Sequence, residues 1–163
     1  MEEITTCLWF DGQAEEAAAM YTSIFPDSRI NRVQRYGEAG PGTPGSVMTA
    51  EFELFGRPYV GLNGGPEFHF TEAVSLQVLC ASQDEVDRLT EQLLAGGGEQ
   101  GPCGWVKDRF GLSWQVTPRE LIEMVQDSDP ERSQRVMREM FTQHKLDLAR
   151  LRAAYEGQPS PTG

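Results

Sequence analysis

The sequence predicts an α+β fold of paired strand–helix–strand modules with extra helices at the C-terminus. Three observations carry this: residues 47–55 alternate cleanly as a half-buried strand, the order strand-then-helix occurs twice about seventy residues apart, and helical periodicity takes over after residue 117. With 163 residues, 39% hydrophobic and 24% charged, the chain can bury one real core as an ordinary globular domain. We divide it into a first βαβββ module over residues 1–66, a second, shorter βαββ(β) module over 67–117, C-terminal helices over 118–157 and a disordered tail over 158–163.

Residues 4–10 are rich in β-formers and predict a strand ending at Asp11-Gly12. Ala14, Ala17, Ala18, Tyr21 and Phe25 then recur at helical spacing, with Asp11 as the expected N-cap and Pro26-Asp27 as the stop. Residues 29–36 read as a second strand. The segment GEAGPGTPG that follows has four glycines and two prolines, and predicts a long, mobile loop. In the next strand Val47, Thr49, Glu51 and Glu53 fall on one face, and Met48, Ala50, Phe52 and Leu54 on the other. Phe55-Gly56-Arg57-Pro58 turns the chain and residues 59–62 run back, ending at Asn63-Gly64-Gly65-Pro66.

The second module opens with a strand over residues 73–80, and Ser82-x-x-Glu85 is a capping box that starts a helix with Val86, Leu89 and Leu93 on one face. Residues 96–118, GGGEQGPCGWVKDRFGLSWQVTP, then form the hub of the chain. A glycine run stops the helix, and two apolar runs, 103–106 and 112–116, flank the turn-forming D-R-F-G as a β-hairpin. Three glycines exceed what a helix stop needs, so the rest allow close backbone packing or a tight bend. A further short strand at 99–101 would complete the repeat. Trp105 and Trp114 fall in the two arms, either as a buried aromatic pair across strands or as the wall of an apolar ligand cavity. Asp108 reads as a turn residue.

Thr117-Pro118-Arg119-Glu120 combines an N-cap, proline at N1 and glutamate at N3, opening a short helix through Val125. Asp129-Pro130 opens another, with Val136, Met137, Met140 and Phe141 as its apolar stripe. After a break near His144 a third stripe holds Leu148, Leu151 and Tyr155.

Fourteen basic against 25 acidic residues give a net charge of -11 with no basic stripe, which argues against nucleic acid and anionic membranes as partners. No apolar run approaches the ~20 residues of a membrane span, and Met-Glu-Glu-Ile is no signal peptide, so a cytoplasmic protein is expected. Cys7, Cys80 and Cys103 are too few and too widely spaced for a disulfide scaffold or structural zinc. Cys7 and Cys80 read as buried thiols and Cys103 as the exposed one.

The stretches LWFDGQAEEAA, YVGLNGGPEF, SLQVLC, GGGEQGPCGWVKDRFGLSWQV and DPERSQRVMREM resemble the PhnB-like family, often labelled 3-demethylubiquinone-9 3-methyltransferase domain, over nearly the whole chain. That family belongs to the vicinal oxygen chelate superfamily with glyoxalase I, bleomycin-resistance proteins and extradiol dioxygenases. The resemblance implies paired βαβββ modules of the glyoxalase-like kind, curved sheets enclosing a cavity, and a homodimer.

In metal-dependent members of the superfamily, His and Glu on facing strands hold a divalent cation. Aligned on this sequence, the expected His falls near Ser75 and the expected Glu on Gln115, while the end of the first-module hairpin offers Asn63. Neutral oxygens hold zinc, iron or nickel poorly without charged partners, so no metal cofactor is expected. The alternative set is Glu67 and His69, alternating on one strand face with Glu72 close by and His144 required in addition. The methyltransferase label fails a physical test, because a nucleotide-like cofactor needs a glycine-rich turn directly between a strand and a helix. Residues 96–98 follow a helix, and Gly64-Gly65 lead to a segment without helical period.

Two functions from different classes follow. One is a binding protein whose cavity, walled by Trp9, Tyr59, Asn63, Trp105, Trp114 and Gln115, takes a small planar or apolar molecule without S-adenosylmethionine chemistry. The other is a metal-dependent isomerase, lyase or dioxygenase acting on a vicinal-oxygen substrate. A third possibility is structural: aromatics fill the cavity and the protein works through its surface.

Overall fold

Residues 4–159 are described by the computed structural model, and the chain divides after Phe70 into two compact units. The first contains β1 (Thr6–Phe10), α1 (Ala14–Ile24), β2 (Arg29–Arg35), β3 (Val47–Leu54) and β4 (Arg57–Asn63), in the sheet order β1-β4-β3-β2. β1 lies parallel to β4 and the other pairs are antiparallel. This is a βαβββ module. Register and pleat put Leu8, Phe10, Ala50, Phe52, Leu54, Tyr59 and Asn63 on the face covered by α1. Ala14, Ala17, Ala18 and Tyr21 of α1 are fully buried there, and the Tyr21 and Phe52 rings lie 6.1 Å apart.

The second unit repeats the order with β5 (Ser75–Cys80), α2 (Gln83–Leu94), β6 (Glu99–Gln100), β7 (Trp105–Lys107) and β8 (Ser113–Pro118), in the sheet order β5-β8-β7-β6. β6 is the short strand that completes the repeat. The cap forms with its return bond one residue earlier than in a strict capping box: Ser82 Oγ accepts from Glu85 N at 3.3 Å, while Glu85 Oε2 accepts from Ala81 N at 2.7 Å. α2 buries Val86, Leu89 and Leu93 on the side of the sheet that carries Val106, Trp114 and Val116. Of the three consecutive glycines, Gly96 and Gly97 have positive φ and make the bend, and Gly98 brings its backbone against Leu93, Leu94 and Lys107.

Three further helices follow, α3 (Arg119–Val125), α4 (Pro130–Met140) and α5 (Leu148–Glu156). Leu121, Met124, Val136, Leu146, Leu148 and Leu151 form their shared core. Asp129 caps α4 and Asp147 caps α5 through side-chain oxygens. The linker between α4 and α5 is sewn to the second unit's sheet: Cys103 N donates to Gln143 O at 2.8 Å and Gly104 N to His144 O at 2.7 Å. Gln83 of α2 holds the same linker at both ends of its amide, donating to Leu146 O and accepting from Leu148 N. Gly104 has φ +80°, and a Cβ there would meet Val116 O at 2.7 Å and Leu146 Cδ1 at 2.8 Å. The G-P-C-G turn is therefore the docking point of the C-terminal helices.

Several sequence expectations need correction. Asp11 does not cap α1; the N-cap position is Gln13, without a side-chain bond. Thr117 lies in β8, and the N-cap of α3 is Pro118. Residues 37–45 fold back over Tyr36, whose backbone pairs with Gly45 and Ser46 and whose ring leaves no room for a Cβ at Gly40 or Gly42. Gly40 and Gly42 are there for close approach to that ring, a need that composition alone does not show. Glu67, His69 and Glu72 share no strand: residues 66–67 make a turn, 68–71 are irregular, and all three side chains are exposed. Cys7 is exposed, because it takes the helix-free face of β1, and Phe141 at the end of α4 is 66% exposed. The predicted disordered tail from 160 onward lies outside the described residues. Among the described residues no helix is long and apolar enough to cross a membrane.

Candidate functional site

The β7–β8 hairpin sets the geometry. Trp105 pairs with Gln115, and Val106 with Trp114, so successive pairs face opposite ways. The two tryptophans are thus on opposite faces, and the expected cross-strand aromatic pair does not exist. Trp114 is core, 1% exposed, and its Nε1 donates to Asp108 Oδ2 at 2.8 Å. Asp108 Oδ1 accepts from Phe110 N and Leu112 N, so this buried carboxylate organises the turn, as its sequence context predicts.

Trp105 and Gln115 are half-buried on the other face, in line with Gln77, which neighbours Gln115 in the parallel register of β5 and β8. With α3 and α4 these residues enclose a cavity of about 360 Å³, whose walls include Trp105, Gln77, Gln115, Met137, Met140 and Phe141. Cys103 reaches its edge, and its Sγ donates weakly to Met140 O at 3.6 Å. Burial pushes that thiol above its ordinary value, and pushes the deeply buried Cys80 thiol up to about 11, so neither is poised as a nucleophile.

Gln115 Nε2 donates to Ser75 Oγ at 2.8 Å. These are the two positions at which the resemblance expects a glutamate and a histidine. An amide and a hydroxyl satisfying each other offer no anionic or imidazole donor, so the residues present do not fit zinc, iron or nickel. Among the described residues no three His, Cys, Asp or Glu side chains come together as a metal-holding group.

The remaining predicted wall residues have other work. Trp9 is on the helix-free face of β1, with Nε1 donating to Gly65 O at 2.8 Å and its indole covered by Gly64 and, edge-on at 5.0 Å, by Phe68. Tyr59 is on the α1 face, stacked on Phe52 at 5.4 Å and 13°, and burial raises its phenol above the ordinary value although Arg57 opposes this. Asn63 closes the first module from within: its Oδ1 accepts from Ala14 N at 2.9 Å, its Nδ2 donates to Val47 O at 3.0 Å, and its backbone O accepts from Tyr36 Oη at 2.9 Å. It is the missing cap of α1. Nothing local signals this, since the acceptor is 49 residues away.

Other cavities carry charge. One of about 660 Å³ beside the start of α1 includes Asp11, Glu15, Glu16 and the edge of Asn63. Another of about 500 Å³ includes Asp87, Lys145 and Arg152, and a third of about 400 Å³ on the other side of Trp105 includes Glu72, Glu99 and Lys107.

Residues 2–117 match the family model for 3-demethylubiquinone-9 3-methyltransferase. The match ends at 117, short of the α4 stretch that the sequence resemblance includes. Among solved structures, the PhnB protein from Bacillus cereus, which carries the same methyltransferase label, is 38% identical, with 72% of this chain and 99% of that one covered and a TM-score of 0.64. Protein PA1353 from Pseudomonas aeruginosa is 20% identical over 72% of this chain and 98% of its own, with a TM-score of 0.59. A glyoxylase/bleomycin resistance protein/dioxygenase domain from Frankia sp. is a more distant likeness, 19% identical over 70% of this chain and 92% of its own, with a TM-score of 0.41. A comparison with curated proteins found no match. The sequence match over residues 2–117 and the two βαβββ modules agree: this chain belongs to the 3-demethylubiquinone-9 3-methyltransferase, or PhnB-like, family.

Proposed function

We propose that this protein binds a small planar or apolar molecule against the face of its second sheet opposite α2, without metal catalysis and without S-adenosylmethionine chemistry. The observation that supports this is the Gln115–Ser75 hydrogen bond: the positions for metal ligands hold a neutral pair that is satisfied internally and stands beside the exposed edge of Trp105. An aromatic wall with a few amides fixes orientation without activating a bond. The methyltransferase label is at odds with the placement of the glycines, since Gly96, Gly97 and Gly98 join α2 to β6, and Gly64 and Gly65 follow β4 into a turn, so neither cluster opens a helix toward a nucleotide. We further propose that it works as a cytoplasmic homodimer.

The test is metal retention. The purified protein is incubated with zinc, manganese, iron(II) or nickel, freed of unbound ion and weighed intact by native mass spectrometry. The proposal expects a dimer with no stoichiometric metal. One ion per chain overturns it and returns the vicinal-oxygen enzyme, with Gln115, Glu67 and His69 as the first residues to replace.

A further inference from the structure

The cavity beneath Trp105 has no charged residue in its lining, in a chain that is 24% charged with a net charge of -11. Each of the three other cavities described above has acidic or basic side chains in its wall. Eight of the fourteen residues of this charge-free lining, from α3, α4 and the segments that follow each, lie beyond the family match that ends at residue 117. On α4 the chain has Met137, Met140 and Phe141 at this wall, while Arg135, Arg138 and Glu139 interleave with them and are absent from the lining. Helical spacing has thus sorted the charges away from the cavity.

We infer that the C-terminal helices are the specificity-determining wall of this site, and that they select an uncharged aromatic ring system bearing a neutral hydrogen-bonding group; this rests on the binding reading above. The chemistry of the lining converges on that class. Trp105 supplies a ring to stack on, and the thioethers of Met137 and Met140 pack against ring edges while adapting their shape. The Gln77 side chain has no hydrogen-bond partner among the described residues, and the Gln115 side chain uses only its Nε2, leaving Oε1 as an acceptor. Amides offer a donor and an acceptor to a carbonyl, hydroxyl or amide of the ligand. An anion or cation entering here gives up part of its hydration and meets no counter-charge, which penalises it relative to a neutral ligand. At about 30 Å³ per water in the liquid, 360 Å³ holds about a dozen waters, the size of a one- or two-ring molecule.

The experiment uses the full chain and three matched probes, 2-naphthamide, 2-naphthoate and 2-naphthylmethylammonium, titrated by calorimetry. The expected result is that the amide binds at least tenfold tighter than either ion. Two variants then place a carboxylate in the wall, Gln77→Glu from the sheet and Met137→Glu from α4. Each is expected to shift the preference about tenfold toward the ammonium. Gln77 is exposed, so its variant tests the site without a folding risk. If the wild type binds all three probes alike, or prefers an ion, the charge-free inference falls while the binding reading stands. If Gln77→Glu shifts the preference and a folded Met137→Glu does not, the helical wall is not the selector. If none of the probes binds, the binding reading itself fails.

Discussion

Trp105 and Gln115 stand directly opposite each other in β7 and β8, while Trp114, one residue earlier on β8, faces the other way. One tryptophan is therefore a wall and the other a core residue. Trp114→Ala is expected to cost roughly 3–5 kcal/mol of stability, as for other buried aromatic truncations. Trp105→Ala should cost about 1–2 kcal/mol, since less apolar surface is withdrawn from water there. Urea unfolding of the two variants separates them; equal losses would contradict the assignment.

Asn63 joins α1, β3 and β4 through both ends of one amide. Asn63→Asp keeps an acceptor for Ala14 N but turns the donor to Val47 O into an oxygen facing an oxygen. Asn63→Ala loses both bonds in a buried position, and about 1–3 kcal/mol of destabilisation is expected. The aspartate variant should be less stable at pH 7 than at pH 4, where its carboxyl can donate again. Denaturant midpoints of variant and wild type at the two pH values check this, and an Asn63→Asp deficit relative to wild type that is independent of pH would contradict the double role.

Gly104 lets the α4–α5 linker pair with the sheet. Gly104→Ala combines a left-handed backbone with a Cβ pressed on Val116 O, neither of which a flexible side chain can relieve. The expected consequence is local: amide hydrogen exchange at residues 103–104 and in α5 accelerates, while β1–β4 keep their protection. Uniform acceleration through both units would show instead that the C-terminal helices are not separately docked.

Acid should loosen those helices first. Lys145 holds the Asp87 carboxyl below its ordinary range, Arg152 does the same for Glu120, and the Tyr155 hydroxyl does so for Asp127. Carboxyls depressed in the folded state contribute stability that is fully present above the unfolded value of about 4 and is lost as pH falls through the folded values. Glu120 and Asp87 are partly exposed, so the effect is small for each pair. Arg152→Gln should lower the urea midpoint at pH 7, and the difference from wild type should shrink as the pH falls below the unfolded carboxyl value of about 4. A difference that persists in acid would mean that Arg152 acts by packing.

The sequence resolves this fold wherever the signal is local. The alternation from Val47 to Leu54, the alanine face of α1 and the Asp129-Pro130 start of α4 all mark their elements directly. What it leaves open depends on register and on partners far along the chain. The facing of Trp105 and Trp114 is fixed by how Asp108 closes the turn, which a D-R-F-G motif does not reveal. The cap on α1 comes from Asn63, and the need for glycine at positions 40 and 42 comes from the Tyr36 ring. At the candidate site, Trp105 and Gln115 are legible as wall residues, whereas the α3 and α4 contribution needed the tertiary packing. Tyr59 and Trp114 read as pocket residues by chemistry, and strand parity places them under helices instead, while Asn63, on the α1 face, reaches only the cavity beside the start of α1.

The most direct measurement is the set of three tryptophan indole N–H signals in a ¹H–¹⁵N spectrum during titration with 2-naphthamide. Trp9 Nε1 is bonded to Gly65 and Trp114 Nε1 to Asp108, while Trp105 has no such partner among the described residues. A ligand in the cavity beside Gln115 moves the Trp105 signal and leaves the other two in place. An unmoved Trp105 signal, or a shift confined to Trp9 or Trp114, would contradict the site proposed for this protein.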